Sequence, residues 1–134
     1  MANRNFYRDA SSTEPGIVNL YIKLTFAGTT VDPAITRGKG LATAVRTADG
    51  VFTLTLSDKY NALLGWDFAF LKATTAPVGF LPVTMDSETV ATTKIIVLNT
   101  WKLDSSATPA AVAAIPAAAE VGFLRLTLSN SSAT

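Results

Sequence analysis

The polar side chains best suited to chemistry are concentrated between Arg46 and Asp67, in the stretch "RTADGVFTLTLSDKYNALLGWD". It combines three aspartates with a lysine, a tyrosine and an asparagine. Such groups act as acids, bases or nucleophiles when their surroundings shift their pKa values. The same residue types also form turns and cap helices, so an architectural interpretation is equally open.

The composition removes the commonest catalytic and metal-binding chemistries. The 134 residues include no His and no Cys. Ser-His-Asp triads, Cys-His nucleophiles, zinc sites built on His or Cys, and disulfides are therefore all excluded. We expect that the chain is not an enzyme, with no catalytic residue, no metal site and no cofactor.

Two remaining motifs are candidate sites. Asp86 and Glu88 form a close acidic pair, which could serve glycoside hydrolysis or bind a hard cation. The pair lies in a polar segment without the further ligands of a calcium loop, so we predict solvated carboxylates. "TRGKG", from Thr36 to Gly40, could cradle a phosphate, but it lacks the Ser or Thr and the following helix of a P-loop. We predict a solvated loop there, or salt bridges from Arg37 and Lys39 to an acidic partner.

The two tryptophans are candidates for a sugar-stacking platform. Trp66 alternates in phase with Phe68 and Phe70, whereas Trp101 is in phase with Val97. In strands, residues that share this phase share one face of the sheet. The phase of both tryptophans therefore favours a place in the core.

Strict alternation of apolar and polar residues governs most of the chain. "IVNLYIKLTF", "VFTLTL" and "VGFLRLTLS" each place aliphatic or aromatic side chains at every second position. Turn residues recur every eight to twelve positions, as is typical of antiparallel β-sandwiches and barrels. We predict an all-β protein, an antiparallel jelly-roll-like β-sandwich of about seven or eight strands, with a small β-barrel as the alternative.

Short helical turns are predicted to interrupt these strands. Asp49-Gly50 favours a type I′ hairpin turn, in which both residues have positive φ. Asp58 is expected to cap a helical turn that ends at Gly65 in the left-handed conformation. Pro109 to Ile115 is expected to be a short Ala-rich helix, because Pro suits a first helical position.

The chain is expected to contain one domain. Residues 1–16 form an extended N-terminal arm, residues 17–129 a single β-sandwich domain, and residues 130–134 a flexible tail. The N-terminus lacks the apolar segment of a signal peptide, and the chain lacks a long apolar run. We expect synthesis in a cytoplasm and no membrane partner.

Charge is sparse and nearly balanced. The formal net charge is +1, which gives no electrostatic footprint for nucleic acid. Charged residues make up 16% of the chain, whereas soluble domains average about 25%. Because charge is depleted from interface cores, we predict that other subunits cover much of the surface. The strand around Ile95 to Leu98 is apolar on both faces, so its second face is expected to meet a neighbouring subunit.

The order of these motifs resembles that of the small virion proteins of tailed bacteriophages that decorate or cement the head. The resemblance rests on "MANRNFY", a first strand ending "KLTFAG", and a closing "GFLRLTLSNSSA". Its strongest part is "GKGLATAVRTADGVFTLTLSDKYNALLGWDFAFL", from Gly38 to Leu71. The resemblance covers most of the chain but includes no catalytic signature.

The resemblance implies a β-sandwich without enzymatic activity that forms a homodimer or homotrimer and bridges copies of the major capsid protein. Its expected location is the outside of the capsid in the virion, after synthesis in the cytoplasm of a bacterial host. A neck or tail component and a carbohydrate-binding sandwich remain alternatives. The residues expected to bind partners lie in the arm, in "TRGKG" and in the Ala/Pro-rich segment: Arg4, Phe6, Tyr7, Arg8, Arg37, Lys39, Pro109, Val112 and Ile115.

Overall fold

A computed structural model describes residues 16–28, 31–71, 83–103, 106, 108, 110–113, 116 and 120–130. These residues form 10 strands and, within the ranges just given, no helix. The strands are β1 (Ile17–Thr25), β2 (Ala34–Arg37), β3 (Leu41–Ala48), β4 (Val51–Leu56), β5 (Ala62–Leu71), β6 (Thr84–Thr89), β7 (Ile95–Asn99), β8 (Trp101–Leu103), β9 (Ala111–Ala113) and β10 (Val121–Ser129).

The strands form two four-stranded antiparallel sheets and one separate two-stranded ribbon. Sheet A has the order β2-β1-β10-β5, sheet B has the order β3-β4-β7-β6, and β8 pairs with β9 in the ribbon. The predicted all-β sandwich is confirmed, and the described strands close no barrel. Four strands in each sheet is also the arrangement of a jelly roll.

The core lies between the two sheets and follows the alternation in the sequence. In β10, Leu124, Leu126 and Leu128 are buried, while the residues between them face outward or lie half-buried. β1 and β4 contribute their alternate residues in the same way. Burying one such aliphatic side chain contributes about 1.5–3 kcal/mol, so these three strands supply much of the stability.

Two glycines allow "TRGKG" to carry the chain from sheet A to sheet B, between β2 and β3. Gly38 and Gly40 have φ values of +111° and +102°. A Cβ at Gly38 would overlap the backbone carbonyl of Tyr21, and one at Gly40 would press on the Leu20 side chain. Both positions therefore favour glycine for its positive φ, and Gly38 also needs it for the close approach to the β1 backbone, independently of any ligand.

The predicted helical turn after β4 is wrong. Residues 57–61 have no helix and cross from sheet B back to sheet A. Backbone hydrogen bonds fix this crossing, because the Tyr60 N–H donates to Val90 and the Asn61 N–H donates to Ser129. Gly65 lies inside β5 without a positive φ, so it ends no helix.

The predicted Ala-rich helix is also wrong in its described part. Ala111–Ala113 forms β9 and pairs with Trp101–Leu103, with Val112 opposite Lys102. Strand pairing here overrides the helix propensity of alanine, which is a weak preference. Pro109 and Ile115 lie outside the described residues.

The described residues form ten strands, where seven or eight were predicted for the chain. One reason is that β2 lies within the segment from Ala27 to Gly40, which the sequence presents as a loop. The ribbon adds two more strands, and β6 runs into the polar segment that contains Asp86 and Glu88. Short, polar or exposed strands lack the apolar alternation by which strands are recognised.

The hairpin at Asp49-Gly50 is present, but its turn is not type I′. Only Gly50 has a positive φ, of 70°. The pairing register shifts between Arg46 and Ala48, which marks a bulge beside the turn. Bulges change the local twist, so the turn no longer needs a second residue with positive φ. The Gly50 carbonyl accepts the backbone N–H of Thr100 at 2.8 Å.

The predicted arm and tail fall almost entirely outside the described residues. Where the predicted arm ends and the predicted tail begins, the Asn130 N–H donates to the Gly16 carbonyl at 2.7 Å. This bond ties the two ends of the sandwich domain together beside β1 and β10. Within the described ranges, no helix is long and apolar enough to cross a membrane.

Candidate interaction surfaces

Two of the three aspartates between Arg46 and Asp67 form ion pairs within the fold. Asp49 forms an ion pair with Arg46, three residues before it, and Asp67 forms one with Arg125 on β10. Tyr60 is buried, and this burial, together with the negative charge of Asp58, raises the pKa of its phenol. The Tyr60 hydroxyl therefore stays protonated at neutral pH and acts as part of the core.

The two residues of the acidic pair, Asp86 and Glu88, occupy different positions in and after the β6 bulge. Asp86 is the extra residue of a bulge in edge strand β6, and it is exposed. The Glu88 carboxylate accepts the backbone N–H of Val90 at 3.1 Å, where the chain turns towards β7. In the part of the chain that the structure describes, no three acidic residues come together as a metal site would need.

On the outer side of sheet B, the cross-strand pairs of the described residues contain no charged side chain. Twelve side chains form three cross-strand rows on this surface, which we call the uncharged face. The rows are Thr43, Thr55, Ile95 and Thr89; Val45, Thr53, Val97 and Ser87; and Ala48, Val51, Asn99 and Thr84.

The charged residues of the four strands in sheet B all lie outside these rows. Arg46 and Glu88 are paired with Phe52 and Ile96, which are buried on the inner face. Asp86 occupies the bulge at the sheet edge. The uncharged face therefore consists of Thr, Val, Ile, Ser, Ala and Asn alone, across the full width of the sheet.

β7 places Ile95 and Val97 on the uncharged face, and both are half-buried by their neighbours within the chain. Ile96 and Leu98 are fully buried on the other side of the strand. The two apolar faces predicted for this strand are thus present. Val45, in the same row as Val97 but separated from it by Thr53, is 38% exposed.

The outer face of sheet A has a different character. It contains an open groove of about 640 Å³ that crosses all four strands. Two cross-strand rows line it: Tyr21, Arg125 and Asp67, and then Arg37, Lys23, Phe123 and Ala69. We call this surface the charged groove.

The aromatic rings of the charged groove point into solvent. Tyr21 is 67% exposed and Phe123 is 44% exposed. The Lys23 ammonium lies 5.9 Å from the centre of the Phe123 ring, within the range of a cation–π contact. Exposed aromatic rings beside cations are typical of binding surfaces rather than of ordinary solvent-facing strands.

The structure brings few of the predicted partner-binding residues together. Arg37 lies in the charged groove, whereas Lys39, two residues further, is exposed outside it. Val112 is half-buried in the ribbon. The remaining predicted residues lie outside the described part of the chain: Arg4, Phe6, Tyr7, Arg8, Pro109 and Ile115.

Neither tryptophan takes part in the charged groove. Trp66 packs against the core, as its phase predicted. The core assignment of Trp101 is wrong, because this residue begins the ribbon. It is half-buried there, and its indole N–H donates to the Thr84 hydroxyl at 2.7 Å.

Sequence reasoning missed Tyr21, Lys23, Phe123 and Arg125 as members of one site. Their signal was the outward phase of the strands, where aromatic and basic side chains alternate with the buried leucines.

Comparison of the chain with protein-family models, with curated proteins and with solved structures gives no match. The function must therefore be argued from the two surfaces themselves.

Proposed function

We propose that this chain is a structural virion protein that binds the outside of a phage capsid and cements neighbouring copies of the major capsid protein. The uncharged face is the observation that carries this proposal. A cement protein stabilises a shell because it binds the assembled state, and many attached copies add their effects. Such a protein needs a broad surface that can be covered by protein without burying unpaired charge.

The side chains of the uncharged face suit this use. Thr, Val and Ile are branched at Cβ and nearly fixed at χ1, so little side-chain entropy is lost when a partner covers them. Val45, Thr53 and Val97 lie side by side in the central row and offer a rigid, mostly apolar contact. The threonine hydroxyls around them can donate or accept hydrogen bonds at the partner surface.

A second contact is assigned to the ribbon and the N-terminal arm. The ribbon is hydrogen-bonded as a sheet of its own, and Val112 lies between two exposed alanines in it. It suits contact with a second copy of this chain, in a homodimer or homotrimer. The arm residues Phe6 and Tyr7 stay part of the proposal as anchors on a neighbour, since aromatic side chains dominate interface energetics.

Sedimentation with undecorated heads of the phage that encodes this chain tests the proposal. At about micromolar concentration, the purified protein should sediment with the heads, because even one contact of ordinary quality binds in this range. Native mass measurement of the free protein should give a dimer or a trimer. Protein that stays in the supernatant with intact heads overturns the cement function. Binding to isolated necks or tails instead would identify the chain as a neck or tail component.

A further inference from the structure

We propose that the charged groove is a binding site for an acidic polysaccharide chain. This inference does not rest on the capsid function, because the groove lies on sheet A and the uncharged face lies on sheet B. The groove has the volume of a small-molecule site, about 640 Å³, and a ligand pocket typically measures about 300–1,000 Å³. It is open and crosses four strands, which suits a length of chain better than a single small molecule.

The aromatic and basic side chains of the groove alternate in two directions. Tyr21 is opposite Arg125, and Lys23 is opposite Phe123, on the neighbouring central strands β1 and β10. Each ring therefore has a cation beside it along the strand and another across the sheet. A chain of acidic sugars has a matching alternation, because apolar ring faces carrying C–H groups are interspersed with carboxylates.

Lys23 and Arg37 are directly opposite each other on β1 and β2. Like charges in this position destabilise a pair of strands. Within the described part of the chain, the two ion pairs are Arg46 with Asp49 and Arg125 with Asp67, so neither Lys23 nor Arg37 has a carboxylate partner. An anionic group bound between Lys23 and Arg37 removes their repulsion, which favours an acidic ligand over a neutral one.

Asp67 distinguishes a polysaccharide from other polyanions. Its side chain is 64% exposed in the groove and accepts from Arg125, which leaves acceptor capacity on the carboxylate. Sugar hydroxyls can donate to this carboxylate. Each galacturonate ring has two hydroxyl donors beside its carboxylate, whereas a glutamate residue has one backbone N–H and a thymidylate residue has one imide N–H, so the polysaccharide offers Asp67 the most donors. Gly65 and Ala69, on either side of Asp67 in β5, leave room for a sugar ring beside it.

A galacturonate hexamer is the probe for this site, with binding measured by calorimetry on the intact protein. We expect a dissociation constant of about 1 mM or tighter at low salt, weakening as salt is raised. The fully methyl-esterified hexamer has the same rings without the negative charge, so it should bind about tenfold more weakly. A glutamate hexamer and an oligothymidylate hexamer should bind more weakly than the galacturonate.

Substitutions distinguish the contribution of the aromatic rings to binding from that of the basic groups. Phe123→Leu keeps apolar bulk but removes the ring, and it should weaken binding several-fold. Lys23→Gln with Arg37→Gln should weaken binding about tenfold and flatten its salt dependence. Val31→Ala, in the loop before β2 and outside the lining of the groove, is the control and should bind as the wild type does. Thermal unfolding checks that each variant is folded.

Three outcomes overturn the proposal. The first is the absence of heat or saturation with the galacturonate hexamer at about 10 mM. The second is binding that folded Phe123→Leu and the double Gln variant leave unchanged. The third is tighter binding of the glutamate or thymidylate hexamer than of galacturonate. Because the assay contains no capsid, its result is independent of whether the chain cements a shell.

Discussion

Gly38→Ala is expected to lower the free energy of unfolding by about 3 kcal/mol or more, enough to leave little stable protein at 37 °C. Two costs combine at this residue. Its φ of +111° is a conformation that residues with a Cβ rarely adopt, and the new methyl group would overlap the Tyr21 carbonyl. The overlap is with backbone, so no side chain can move aside to relieve it. Denaturant titration measures the loss as a lower midpoint with an unchanged slope.

Gly65→Ala is the matched control for this prediction. Gly65 lies within β5 of sheet A, where its φ is not positive and a Cβ would meet no atom within 4 Å. Replacing a glycine in strand geometry restricts the unfolded chain, so the variant should be unchanged or more stable by up to about 1 kcal/mol. If Gly38→Ala were as stable as Gly65→Ala, the close approach of Gly38 to the Tyr21 backbone would not be the reason for glycine at position 38.

Val45→Lys is expected to abolish binding to undecorated heads while the protein stays folded. Val45 is in the central row of the uncharged face, where an ammonium group would be covered without a counter-charge. An uncompensated buried charge costs several kcal/mol, so the affinity of each copy should fall at least about 100-fold. Sedimentation with heads measures the loss, and circular dichroism measures the fold.

Val31→Lys is the control for that substitution, because it makes the same chemical change on an exposed valine. Val31 is 52% exposed, in the loop before β2, and Val45 is 38% exposed on sheet B. Both substitutions should change stability by less than about 0.5 kcal/mol, since they are at the surface. Val31→Lys should still bind heads. Equal binding by the two variants would show that the uncharged face is not the contact.

The buried half of each long strand was predictable from the sequence. Alternation in β1, β4 and β10 selected the residues that fill the core, including Leu54 and Leu126, because one face of each strand must avoid water. The outward half was not predictable as a site. Tyr21 and Phe123 come from opposite ends of the chain, and they become neighbours only through the pairing of β1 with β10. No local pattern specifies that pairing.

The helical turns failed as predictions for a related reason. Capping and propensity signals around Asp58 and Ala111 are worth about 1 kcal/mol or less each, and sheet pairing outweighs them. In the first case, the turn is replaced by hydrogen bonds from Tyr60 and Asn61 to distant strands. In the second, Val112 finds a partner strand at Lys102. Both outcomes depend on segments that the local sequence does not describe.

Hydroxyl-radical footprinting of the protein, free and bound to heads, tests the central claim most directly. The method reports the solvent exposure of individual side chains. Val45, Ile95 and Val97 on the uncharged face should lose reactivity on binding, whereas exposed Leu64 and Leu71 of β5, in sheet A, should keep theirs. Unchanged reactivity at Val45 and Val97 in protein that sediments with heads would contradict the claim that another subunit covers this face.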